Sequence, residues 1–177
     1  MFKTFNKMYK HQIQCFKHQI QLLRHQIQCL KRRFPSYTKK SIYTTVDGID
    51  IGEGLLFKVD IPPNTHFIAF DGIFRSLSEF RERRKEGKGS YAVKTGVDQV
   101  LDCYDKSREG KCHASKANSC LNLVNSLTNE KAVKNASMHH NYATKITTLK
   151  SGKFGIKAHK EVMYPYGSNY KTEDYKV

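Results

Sequence analysis

Between residues 10 and 30 the chain repeats itself three times, as KHQIQCF, KHQIQLL and RHQIQCL, and no heptad occurs beyond Pro35. A seven-residue apolar period belongs to a helix with a packing seam, so this part is built differently from the rest of the chain. With Ile13, Ile20 and Ile27 at a, Phe16, Leu23 and Leu30 fall at d. Tyr9 extends the d series backward and Phe34 the a series forward, until Pro35 stops the helix. Ile at a with Leu at d favours a parallel two-stranded coil, while Gln at g beside Lys17, Arg24 and Lys31 at e leaves few ion pairs between helices. Residues 1–34 therefore read as a basic amphipathic helix able to form a homodimer through its heptads. Three other readings stay open: a slippage expansion, a helix packed on its own domain, and a mitochondrial presequence, which an acid-free basic amphipathic segment resembles.

The charge follows the same division. The chain holds 31 Lys and Arg against 16 Asp and Glu, yet the first acid is Asp47, so ten basic residues stand unopposed before it. Such an arm suits nucleic acid, an acidic partner or an anionic surface, and residues 1–40 are assigned to nucleic-acid or nucleosome contact. No run is apolar enough to span a bilayer, and no membrane partner is expected. KRRFPSYTKK (31–40) is a nuclear-localisation type of cluster, and 35–44 reads as a linker. Five cysteines, an odd number without a CxxC pair, read as reduced thiols of an intracellular protein of nucleus or cytoplasm. Cys103, Cys112, His113 and Cys120 fit no usual zinc spacing, so no metal is expected.

From residue 45 to 170 short runs of β-formers alternate with Gly, Asp and Pro, which predicts strands joined by tight turns. Ser76 and Glu79 make a capping box that opens a short charged helix ended by Gly87. YAVKTGVDQVLDCYD predicts a hairpin turning at Thr95-Gly96, and ATKITTLKSGKFGIKAHKEVMYPYG predicts two or three more strands. The fold class is α+β with mostly short strands, not an alternating βαβ chain. Gly52-Glu53-Gly54 lacks the third glycine and the long helix of a dinucleotide fingerprint, so by itself it reads as a turn.

In order, GEGLLFKVDIPPNTHFIAFDG, YAVKTGVDQVLD, SKANSC, KNA and EVMYPYG resemble the SET domain of protein-lysine methyltransferases, over about residues 45–170. The resemblance implies a pseudoknotted β-clip; the heptad helix precedes it in this chain and residues 171–177 follow it as a tail. It implies S-adenosylmethionine as cofactor, with Glu53, Gly54, Asn118, Ser119 and Tyr170 around it and Asn135-Ala136 as a second asparagine step. It makes Tyr166 catalytic; Tyr91, also assigned as catalytic, and Phe70 are candidates for the aromatic substrate channel, with core packing on a strand as the other reading of both. Ser119 stands where the family usually has histidine, the stretch between Asn118 and Asn135 is long, and no cysteine cluster follows Tyr170.

Methyl transfer to lysine needs a neutral amine, although free lysine has a pKa near 10.4. An apolar channel beside a fixed sulfonium disfavours the ammonium, so no dedicated base is required, in keeping with a chain that shows no acid–base dyad. Tyrosine rings and hydroxyls can enclose and aim the nitrogen. The expected function is protein-lysine N-methylation, with histone tails among the substrates, recognised by a groove of Asp98, Asp102, Asp105 and Glu109. The alternative is a SET-like module without turnover, tethered to chromatin or a protein partner by the basic arm.

Overall fold

A computed structural model describes residues 2–166 of the chain. Helix α1 runs from Phe2 to Arg33 and ends in Lys31, Arg32 and Arg33, where basic residues suit the negative end of the helix dipole. The amide of Phe34 still donates to Leu30 O at 2.9 Å, but Pro35 has no N–H with which to continue. Leu30 packs against the main core and Phe34 is buried within it. The last turn of the heptad helix therefore docks on the domain, whereas Ile13 remains half exposed. The side chains of Tyr9, Phe16, Ile20 and Leu23, four further positions of the expected seam, lie outside the described residues.

The expected linker at 35–44 is sheet. Strand β1, Ser36–Lys40, is followed by β2, Tyr43–Thr45, and β3, Glu53–Phe57. Strands β1 and β3 pair antiparallel from Ser36↔Phe57 to Lys40↔Glu53. An edge strand needs polar, charged side chains to discourage further pairing, and that composition disguised it as a linker. Gly52 turns the chain into β3 with φ +81°, a conformation that glycine adopts freely.

The chain continues through β4 (His66–Ala69), β5 (Ile73–Ser76), α2 (Leu77–Lys85), β6 (Ala92–Lys94) and β7 (Gln99–Asp102). The capping box of Ser76 and Glu79 is formed in full, and Gly87 takes a positive φ after the helix. Strands β6 and β7 make the expected hairpin, with Thr95 N donating to Gln99 O at 3.0 Å, and β5 pairs with the other edge of β7. The polar stretch after β7 folds into α3 (Tyr104–Arg108), a 3₁₀ turn (His113–Lys116), β8 (Asn118–Ser119) and β9 (Leu123–Asn125). Strand β9 pairs with β2. Then β10 (Ala136–Asn141), β11 (Ile146–Ser151) and β4 form one antiparallel sheet with β11 in the middle.

The last described strand, β12 (Met163–Tyr164), pairs in parallel with β8. Val162 N, just before it, donates to Leu55 O on β3 at 2.8 Å, and Asn135 N donates to Met163 O at 3.0 Å. This strand is thereby held between β3, the Asn118 segment and the Asn135 loop. Phe57, Phe67, Leu149 and Val162 are almost fully buried in the core beneath. The result is an α+β fold of short strands in small sheets, consistent with the SET-like expectation.

Candidate functional site

Three stretches far apart in sequence meet at the start of β3: residues 53–54, 117–119 and 161–166. Asn118, 5% exposed, donates from Nδ2 to Glu53 O at 3.1 Å and to the Glu161 carboxylate at 2.7 Å. The Ser41 hydroxyl faces both oxygens of that carboxylate at 2.9 Å. Asn135 donates to Glu161 O at 2.8 Å and accepts from Met163 N at 2.9 Å, so its amide clamps both sides of residue 162. Burial pushes the Glu161 carboxyl above its ordinary pKa, against hydrogen bonds from Asn118, Ser41 and the Ile42 backbone that favour the anion.

The two glycines of the Gly-Glu-Gly turn serve different ends. Gly52 supplies the positive φ, while a Cβ on Gly54 would collide with the Glu161 carboxylate. The close approach at Gly54 is thus filled by the protein's own side chain. Glu53, between them, points outward, accepts from Thr38 Oγ1 at 3.2 Å and pairs with Lys116 at 3.2 Å. Ser119, 3% exposed, accepts from Leu121 N at 3.2 Å and so caps the turn after β8.

Of the expected tyrosines, Tyr166 is half-buried and donates its hydroxyl to Ala117 O at 2.6 Å, next to Asn118. Its ring leans on Tyr164 at 4.9 Å, and Tyr164 meets Phe70 edge-on at 6.5 Å. Phe70 and Tyr164 are buried in the core, at 6% and 7% exposure. Phe70 therefore supports the aromatic row from within rather than lining an open channel. Tyr91 sits at φ 62°, an uncommon backbone for a residue with Cβ. Its hydroxyl accepts from Lys116 Nζ at 3.1 Å, and that ammonium also lies 4.5 Å from the Tyr91 ring centroid. Burial draws the Lys116 pKa down, but Tyr91 and Glu53 outweigh it and leave the ammonium favoured. Tyr170 lies outside the described residues.

Sequence reasoning passed over Glu161, Ser41 and Lys116. A signal for the first was present: Glu161 is the only acid between Glu130 and Glu173, and it stands at the entrance to an apolar strand. The expected acidic groove does not form. Asp102 is buried and paired with Arg75 and Arg83, each at 2.8 Å. Asp105 pairs with Arg83 and Glu109 with Lys111, while Asp98 accepts from Leu77 N.

A cleft of about 360 Å³ opens beside this centre, lined by Thr38, Glu53, Ser107, Arg108, His113 and Lys116 among others. Ser107 Oγ is buried there without a hydrogen-bond partner. Carboxylate, guanidinium and ammonium among the lining residues suit a zwitterion, and the amino-acid end of S-adenosylmethionine is one. Among the described residues no group of three His, Cys, Asp or Glu could hold a metal ion.

The fold has known counterparts. The chain superposes on an active polycomb repressive complex 2 in its basal state with a TM-score of 0.53 at 19% identity, over 76% of this chain and 15% of that one. For the same complex in its stimulated state the TM-score is 0.55 at 19% identity, over 77% and 16%. The chain thus spans about a sixth of the length of those it matches, and the likeness speaks for the fold, supporting a SET-like one. No protein-family model matches the sequence, and no curated protein matches it.

Proposed function

We propose that this chain is an S-adenosylmethionine-dependent protein-lysine N-methyltransferase, with basic histone tails as its first substrate class. The observation that carries the reading is the Tyr166 hydroxyl donating to Ala117 O at 2.6 Å, beside Asn118. With its proton committed to that carbonyl, the phenol oxygen has only lone pairs to offer. It can accept from an incoming lysine nitrogen and fix where that nitrogen's own lone pair points. Glu161, Asn118 and Asn135 hold β8 and β12 in place and so aim Tyr166. The cofactor, when bound, supplies the methyl group and a positive charge that disfavours a neighbouring ammonium. Glu53 and Lys116 would hold its amino-acid end. Tyr91 accepts from Lys116, which lines the cleft.

In this reading α1 carries the enzyme to nucleic acid or a nucleosome through residues 1–40, in a nuclear setting, and pairs through its heptads. Polycomb complexes among the structural counterparts support chromatin as the general context.

One observation favours a second reading, a binding module without turnover. Both hydrogens of Asn118 Nδ2 are taken by Glu53 O and Glu161, so that amide nitrogen has none left to offer a cofactor. Tritiated methyl transfer from S-adenosylmethionine to core histones and nucleosomes, run beside thermal shift with the same cofactor, separates the two. Label on histone with a raised Tm supports the enzyme. No label and no shift at saturating cofactor overturns it.

A further inference from the structure

Cys103 and Cys112 are buried at 0% and 2% exposure, within the same core cluster. Both sulfurs flank one dipeptide. The Asp71 amide donates to Cys112 Sγ at 3.2 Å, and Cys103 Sγ lies 2.9 Å from where a Cβ on Gly72 would stand. Cys112 also lines the 360 Å³ cleft, through which a small reagent can reach it. The segment between the two cysteines contains Ser107, Arg108 and Gly110 of the same cleft wall. No step of the proposed methyl transfer uses either thiol.

We propose that Cys103 and Cys112 form a peroxide-sensitive dithiol, whose closure to a disulfide ties off residues 103–112 and reshapes the cleft. Donation from Cys103, then from the Asp71 amide and Ser115, lowers the Cys112 pKa to about 6 despite burial, while the Cys103 thiol is held protonated. Cys112 is therefore the attacking thiolate and Cys103 the resolving thiol. The Cys112 thiolate attacks one peroxide oxygen. The S–O bond forms, the O–O bond breaks, and the departing hydroxide takes a proton to leave as water. Cys103 then attacks the sulfenic sulfur: S–S forms, S–O breaks, and the released hydroxide takes the Cys103 proton. Two thiols and one hydrogen peroxide give one disulfide and two waters. Disulfide formation brings the two sulfurs to about 2.05 Å.

The test is peptide mapping of the full chain under non-reducing conditions after hydrogen peroxide treatment without denaturant. The expected result is a Cys103–Cys112 linked peptide, lighter by two hydrogens and restored by dithiothreitol. In Cys103→Ser, a sulfenic acid on Cys112 should accumulate and be labelled by dimedone. Alkylation of Cys112 in the unsubstituted protein should show a midpoint near pH 6. The proposal is overturned if the exposed Cys15 and Cys29 oxidise while this pair stays reduced. It is equally overturned if the link forms only after urea is added. None of these readouts depends on methyl transfer, so the dithiol stands or falls apart from the enzyme.

Discussion

The Glu161 carboxylate lies where a side chain on Gly54 would have to go. Strand β3 and the approach to β12 are thereby fitted together through a missing Cβ. Gly54→Ala must displace a carboxylate that Asn118 and Ser41 already hold. Overpacking of this kind costs about 1–3 kcal/mol, which a urea midpoint at constant slope will register. Gly52→Ala has open space around its Cβ but a φ of +81°, so its cost arises from backbone strain alone. Adding Glu161→Ala should offset part of the loss in Gly54→Ala and none of that in Gly52→Ala.

Glu161 also gives stability an unusual pH dependence for a carboxylate. Burial raises its folded pKa above the ordinary 4.5. Its contribution is therefore full below 4.5 and is lost as pH rises through the folded value. Glu161→Gln should remove this fall, and the Tm difference between the two proteins should vanish in acid.

His66 acts with the opposite pH trend. Burial, then His139 and Lys150, hold its folded pKa below the ordinary 6.5. Its contribution is present above 6.5 and is lost as pH falls from there toward the folded value. His66→Gln should flatten the acid side of the Tm profile between those limits and leave the neutral region little changed in slope.

Tyr166→Phe keeps the ring against Tyr164 and removes the hydroxyl on Ala117 O. Turnover should fall by about 10²-fold or more, as for loss of one oriented polar group in an active site. Tm should move little. Tyr164→Phe, buried in the core, should behave in reverse, with turnover per folded molecule retained. Methyl transfer measured beside melting curves decides between the two tyrosines. A dead Tyr164→Phe with an active Tyr166→Phe would reverse the assignment.

The docking of α1 divides truncations into two groups. Deleting residues 2–28 keeps Leu30, Phe34 and β1, so the domain should still melt cooperatively while binding to DNA weakens and becomes less salt-dependent. Deleting residues 2–40, which the sequence pattern alone would permit, removes buried Phe34 and strips β1 from β3. Loss of a core phenylalanine side chain alone costs about 3–5 kcal/mol, so this variant should lose its cooperative melt in circular dichroism.

The sequence by itself determined what depends on neighbours a few residues apart. The heptads and Pro35 set α1 and its end, Ser76 with Glu79 set the start of α2, and Thr95-Gly96 set the β6–β7 hairpin. Each rests on a helical period, a cap or a turn complete within about ten residues. The order of its motifs also pointed to a SET-like fold. Only the tertiary structure decided that Ser36–Lys40 is a strand, because its partner lies beyond an intervening β2 and its own composition is that of a polar edge. Only it showed that Gly54 is a glycine for the sake of Glu161, and that Asp102 serves two arginines rather than a groove. A buried carboxylate reads like any other in a one-dimensional chain. Whether it meets an amide, a hydroxyl, a guanidinium or water depends on which distant strands pack beside it, and that is settled only when the core closes.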